Sequence, residues 1–158
     1  MHCPLPRDLI VRIRALVLSL FVALALTGTT GLVAAPAAEA GTSAEARLLQ
    51  KINKARARHG LPTLRERASL SDYARRHSAK MSRQRTLFHT SDFSVICCWS
   101  SISENVGYAG SVRSVHRAFM RSPGHRANIL DRGKRAVGVG IVRRHGQIWV
   151  TEIFRRPR

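Results

Sequence analysis

FMRSPGHRANIL (Phe119–Leu130) is the stretch whose reading decides the fold of this chain. Phe119 and Met120 close a run of helical spacing, Ser122-Pro123-Gly124 interrupts it, and Ile129-Leu130 turns apolar again. Pro123 fits the first position of a new helix, where a missing N–H costs nothing, and Ser122 fits the cap before it. The spacing therefore predicts two helices meeting at a bend, with His125 in the first turn of the second. Arg126 and Asn128 can be solvated while Ile129 and Leu130 fill a core. His125 is the residue that such a bland account leaves over.

Upstream, Val112, Val115, Phe119 and Met120 lie on one face of a helix over about 111–121. Thr42-Ser-Ala-Glu45 has capping-box spacing and opens a first helix bearing Leu48, Leu49, Ile52, Ala55 and His59, which Gly60 and Pro62 end. A second helix over about 69–83 carries Leu70, Tyr73, Ala74, His77 and Met81. Residues 84–110 keep no sustained period and read as a long loop. Downstream, AVGVGIV (Ala136–Val142) alternates, Arg143-Arg-His-Gly146 turns the chain, and QIWVTEIF (Gln147–Phe154) returns as a β-hairpin. The second strand is apolar on both faces, which predicts a sheet covered on both sides. The class is α+β, with helical layers around a small antiparallel sheet.

The N-terminus reads differently. Arg7, Arg12 and Arg14 precede the apolar ALVLSLFVALAL (Ala15–Leu26), and Ala38-Glu39-Ala40 offers small residues to an export peptidase. This is the layout of a secretory signal peptide over 1–40, with an uncleaved anchor as the alternative. The domain is then 41–158, long enough for one core. The whole chain has 158 residues and a formal charge of +18; residues 41–158 keep 24 basic against 7 acidic groups, or +17. Such a surface attracts polyanions. The arginines are scattered, Arg56 and Arg58 among those flanking helix faces, and no aromatic residues interleave with them as in a base-stacking platform. Sequence-specific nucleic-acid readout is not expected. Cys97 and Cys98 are adjacent, and a vicinal disulfide or buried thiols are expected rather than a zinc site.

Three segments carry groups suited to chemistry. His89 follows Leu87-Phe88, Glu104-Asn105 precedes Val106-Gly107, with the glycine read as a turn, and His125 follows the Ser-Pro-Gly bend. Two imidazoles and a carboxylate suffice for a partial divalent-metal site, zinc in particular, or for a hydrogen-bonded network without metal. His77 and His116, at helical spacing among apolar residues, read as packed; His59 and His145 read as solvated.

Six stretches in this order, LLQKINKARARHGLPTL, LSDYARRHSAKM, FHTSDF, SENVG, AFMRSPGHRANIL, and VGVGIV followed by WVTEIF, resemble the CAP superfamily in its short bacterial SCP-like form, over Glu45 to Phe154. The resemblance implies an α–β–α sandwich with a cleft lined by two histidines and two glutamates that bind a divalent metal in some members. It assigns His89 and His125 as the histidines and Glu104 as one glutamate. The second glutamate has no match, since its place is Ser122; Glu152 is a substitute on another element, or is simply paired with an arginine. Two functions follow. The first is a secreted, non-catalytic module engaging an anionic envelope polymer or lipid. The second is a metal-assisted hydrolase in which His89 and His125 hold the ion and Glu104 acts as base or third ligand.

Overall fold

The computed structural model describes residues 43–158, and the signal-peptide reading of residues 1–40, with Cys3, lies outside the described residues. The elements follow as α1 (Ala44–Arg58), β1 (Arg65–Glu66), α2 (Ala68–Gln84), β2 (Trp99–Ala109), α3 (Val112–Arg121), α4 (Pro123–Leu130), β3 (Ala136–Arg144) and β4 (Gln147–Pro157). Among the described residues no helix is long and apolar enough to cross a membrane. Helix α1 is capped by Ser43, whose hydroxyl accepts the Ala46 N–H at 3.1 Å, one residue later than a box opened at Thr42 requires. Glu45 is thereby released to accept the Ile141 N–H at 3.1 Å and to pair with Arg75.

The sheet has four strands in the order β1-β3-β4-β2, with β1 parallel to β3 and the other pairs antiparallel. The β3–β4 hairpin turns at His145 (φ 51°) and Gly146 (φ 72°). Two successive left-handed residues match the twist of the flanking strands. Alternation along the strands sends Val137, Val139, Ile148, Val150 and Phe154 to one face, against Leu48 and Ile52 of α1, Val115 and Phe119 of α3, and Ile129 of α4. The opposite face packs Ala136 and Ile153 against Leu70 and Ala74 of α2. Apolar residues on both faces of β4 have this physical cause: helices cover both sides of the sheet.

Helix α2 lies directly on β3. A Cβ at Gly140 would stand 2.1 Å from the Ala74 carbonyl carbon, and one at Gly138 would stand 2.2 Å from that of Leu70. Those atoms are backbone, so only a shift of the whole helix could make room. The Ser78 hydroxyl closes the same contact, with its oxygen 2.9 Å from both the Gly140 carbonyl and Thr151 Oγ1. Gly140→Ala is expected to cost about 2–3 kcal/mol by overpacking, measured as a lowered urea midpoint at unchanged slope. An unmoved midpoint would show that α2 slides freely.

Three expectations are corrected. The expected loop over 84–110 contains β2, an 11-residue strand. Its text, WSSISENVGYA, hides it, because Glu104 and Asn105 point inward as buried polar groups instead of the apolar residues a buried strand usually shows. Arg56 does not flank a solvated face but is 0 % exposed. Cys97 and Cys98 are exposed rather than buried thiols; their sulfurs are 2.8 Å apart, and Cys98 takes a left-handed φ of 65°.

Candidate functional site

Strand β2 lies at the edge of the sheet, and its pleat sends Glu104 and Asn105 to opposite faces. Each anchors a network of buried polar groups. On the α2 side, Glu104 is 7 % exposed and fully engaged. Its Oε2 accepts from the Thr90 N–H at 2.9 Å and lies 2.9 Å from His89 Nδ1, while Oε1 accepts from the Thr90 hydroxyl at 2.7 Å. Three partners around one carboxylate offset the cost of taking it out of water. His89 itself is 62 % exposed, so the network orients an imidazole that projects into solvent. His77 packs as expected, edge-on to Phe88 with Nε2 2.9 Å from the Phe88 carbonyl. It also belongs to the network, with Nδ1 3.3 Å from Thr90 Oγ1 and Nε2 3.8 Å from Glu104 Oε1.

On the other face, Asn105 is fully buried beneath α4. Its Nδ2 donates to the His125 carbonyl at 3.1 Å and to Glu152 Oε2 at 2.9 Å, and its Oδ1 accepts from Asn128 Nδ2 at 2.9 Å. Asn128 is thus not solvated: it also donates to the Glu104 carbonyl at 3.3 Å. Glu152 is paired with this carboxamide and not with an arginine, and its Oε1 is buried without a partner. Burial, only partly opposed by Asn105, raises the Glu152 pKa from 4.5 to about 8, so the carboxyl is protonated at neutral pH.

His125 occupies the first turn of α4, as the Ser-Pro-Gly bend predicts. Ser122 holds the cap position, but its hydroxyl makes no cap bond and lies 2.8 Å from His125 Nδ1 instead. The ring stacks on Phe119, centroids 4.8 Å apart. Gly107 permits that shelf: it does not turn the chain but lies within β2, where a Cβ would stand 2.8 Å from the Phe119 ring. Burial, then the nearby charge of His89, lowers the His125 pKa, against a smaller opposing effect of the Val106 backbone. His89 is thus near enough to disfavour charge on His125, while the two rings line neighbouring hollows, His89 beside Phe88 and Thr90 and His125 beside Phe119 and Ser122.

Beside His125 lies a groove of about 440 Å³, the candidate cleft, whose walls include Leu87, Val106, Tyr108, Val115 and Phe119. Leu87 and Tyr108 are among the large apolar side chains most exposed to water. The donor set does not form a ready metal centre. Among the described residues no three or more His, Cys, Asp or Glu side chains are gathered as an ion would need. Glu104 is held by Thr90 and His89, and His125 by Ser122. Thr90, Ser122 and Asn128 are the site residues that sequence reading misses. Adjacency to His89, and i−3 and i+3 spacing from His125, are the signals that could have found them.

The model of the cysteine-rich secretory protein family, CAP, matches residues 49–153. No curated protein matches the chain. Among solved structures, the chain is similar to an extracellular SCP-domain protein of Bacillus anthracis, with 23% identity and a TM-score of 0.64 over 72% of this chain and 40% of that one. It is similar to an outer surface protein of Borrelia burgdorferi, with 16% identity and a TM-score of 0.65 over 71% of this chain and 91% of that one. A cysteine-rich secretory protein of Staphylococcus aureus matches at 18% identity and a TM-score of 0.55, over 75% of this chain and 40% of that one. The chain thus spans two fifths of the Bacillus and Staphylococcus proteins. These likenesses carry the fold.

Proposed function

The chain belongs to the CAP, or cysteine-rich secretory protein, family, and from that premise we propose that it is an exported, non-catalytic binding module whose cleft engages an anionic lipid or other anionic envelope component. The groove beside His125 carries this reading: an apolar trough open to water, on a domain with a large excess of arginine. The trough suits an acyl or other apolar portion, and the surrounding charge suits an anionic head. The names of the similar Bacillus and Borrelia proteins, extracellular and outer surface, support an envelope location.

Affinity for phosphatidylglycerol vesicles is expected to fall by about tenfold or more between about 0.01 M and about 0.15 M salt, as the screening length shrinks from about 30 to about 8 Å. Equal binding to neutral phosphatidylcholine vesicles, or a salt-independent affinity, would remove the anionic ligand from the reading. Leu87→Ser combined with Tyr108→Ser should weaken vesicle binding without unfolding the domain, since both side chains are exposed. Unchanged binding would remove the groove.

A second reading uses the imidazoles of His89 and His125. His89 and His125 would hold a divalent ion such as zinc, with Glu104 as base or third ligand, and the ion would supply an activated water for hydrolysis. It is favoured by the electrostatic proximity of the two histidines. It requires Glu104 to exchange its bond to His89 for the ion. Zinc content of the wild type against a His89→Ala, His125→Ala variant tests it, and equal stoichiometry in both eliminates it.

A further inference from the structure

A second hollow lies away from the cleft, where the α4–β3 connection meets the end of β4. Its volume is about 540 Å³ and its walls are Arg132, Gly133, Arg135, Arg156, Pro157 and Arg158. Arg156 stands four residues beyond Glu152 on β4, roughly 13 Å along the strand.

All four arginines are exposed, and none forms an ion pair among the described residues. Main-chain carbonyls hold three of them by one edge. Arg135 Nη1 donates to the Arg132 and Lys134 carbonyls at 2.5 and 2.9 Å, Arg156 Nε to Gly133 at 3.2 Å, and Arg158 Nε to Trp99 at 3.2 Å. A guanidinium fixed in this way keeps its remaining N–H groups, in planar fork geometry, for an acceptor from outside.

The seat of Arg156 is specific. A Cβ on Gly133 would lie 1.5 Å from Arg156 Nη2 and 2.3 Å from its Cζ, so the absence of a side chain there lets the guanidinium lie against the loop. The loop is held by the Gly133 N–H donating to Asp131 Oδ1 at 2.7 Å. Beneath it Lys134 is buried, its Nζ 2.8 Å from Ser101 Oγ and 3.8 Å from Asp131 Oδ2. Asp131 answers the buried lysine, and among the described residues no acidic side chain lines the hollow itself.

We propose that this arginine cradle is a binding site for phosphate groups, gripping the phosphoryl oxygens through the forks of Arg156 and its neighbours. Several forks around one hollow suit a tetrahedral phosphate, whose oxygens point in different directions, better than a flat carboxylate. The inference rests on the reading of the domain as a binder of anionic envelope material, and adds to it the place and the chemical group. The phosphate can come from a lipid headgroup or from a soluble phosphate polymer.

The test uses the full chain at about 0.15 M salt and two probes, short inorganic polyphosphate and phosphatidylglycerol vesicles. Arg132→Gln with Arg156→Gln should weaken polyphosphate binding about tenfold. Arg143→Gln with Arg144→Gln, which removes the same charge at the hairpin turn, should weaken it less than about twofold. Gly133→Ala, which removes no charge and meets only a flexible side chain, should weaken it by a factor between those two. Equal losses in the two double variants, or full affinity in Gly133→Ala, overturns the site in favour of diffuse charge. If the cradle variants also lose vesicles, the phosphate is a headgroup; if they lose polyphosphate alone, it is a soluble polymer, and either result supports the cradle. The Leu87→Ser, Tyr108→Ser variant separates the two readings. Unimpaired vesicle binding in it, with losses in the cradle variants, removes the cleft reading and leaves the cradle standing.

Discussion

Arg56→Met is expected to lower the unfolding free energy by roughly 4 kcal/mol, the range in which a buried charged group leaves its partners uncompensated. The guanidinium is 0 % exposed and donates to four carbonyls: Nε to Pro62 at 2.8 Å, Nη1 to Ile129 and Asp131 at 2.8 and 2.9 Å, and Nη2 to Lys134 at 3.4 Å. Methionine restores much of the volume but none of the donors, so buried carbonyls are left unpaired at about 1–3 kcal/mol each where water cannot reach them. Burial lowers the Arg56 pKa, with Asp131 opposing the effect, but the side chain stays charged. The four carbonyls belong to the turn after α1, the end of α4 and the α4–β3 connection, so one side chain ties α1 to the segments carrying both His125 and the arginine cradle. Guanidinium chloride unfolding of wild type and variant measures the effect. A loss below about 1 kcal/mol would mean that water takes over the carbonyls.

Glu152→Gln is expected to remove a destabilisation that grows with pH. The Glu152 carboxyl titrates near 4.5 when exposed and near 8 in the fold. Between those values the native state holds a proton that the unfolded chain has released, so unfolding stability falls as pH rises. At about 1.4 kcal/mol per unit, the loss from pH 5 to pH 7.5 is on the order of 3 kcal/mol, and it stops growing above the folded pKa. Glutamine keeps the acceptor for Asn105 Nδ2 and cannot ionise. The two proteins should therefore match near pH 5 and diverge with the variant the more stable at pH 8. Comparing them cancels other titrations, including those of His116 and His125, whose lowered pKa values act in the opposite direction. Parallel stability curves from pH 5 to pH 8 would show that Glu152 is ionised in the native state, in contact with water or a cation.

Both effects arise at residues whose role is hidden in the text. Arg56 follows Ala55 in the basic stretch KARAR (Lys54–Arg58), and nothing local separates it from the exposed Arg58. Glu152 has the alternation of a strand residue under the core, and its partner Asn105 is 47 positions away. The cleft shows the same division. His125 in the first turn of a short helix is legible because Ser122 and Pro123 act on the backbone beside them. The contact of His89 with Glu104 is not, since it depends on a strand that forms only because β4 supplies its hydrogen bonds.

The four helices, the hairpin with its turn at Arg143–Gly146, and the two-sided burial of β4 follow from the sequence alone. Each rests on signals within about one turn of helix or one pleat: caps, proline, glycine and the period of the apolar residues. The edge strand β2, the buried guanidinium, the Asn105–Glu152 pair under α4 and the grouping of four arginines around one hollow are decided only by the tertiary structure. In the first three, polar groups distant along the chain are paired, and that pairing forms only once the backbone has brought them together away from water; in the fourth, the packing of separate elements gathers like charges that no local signal places together.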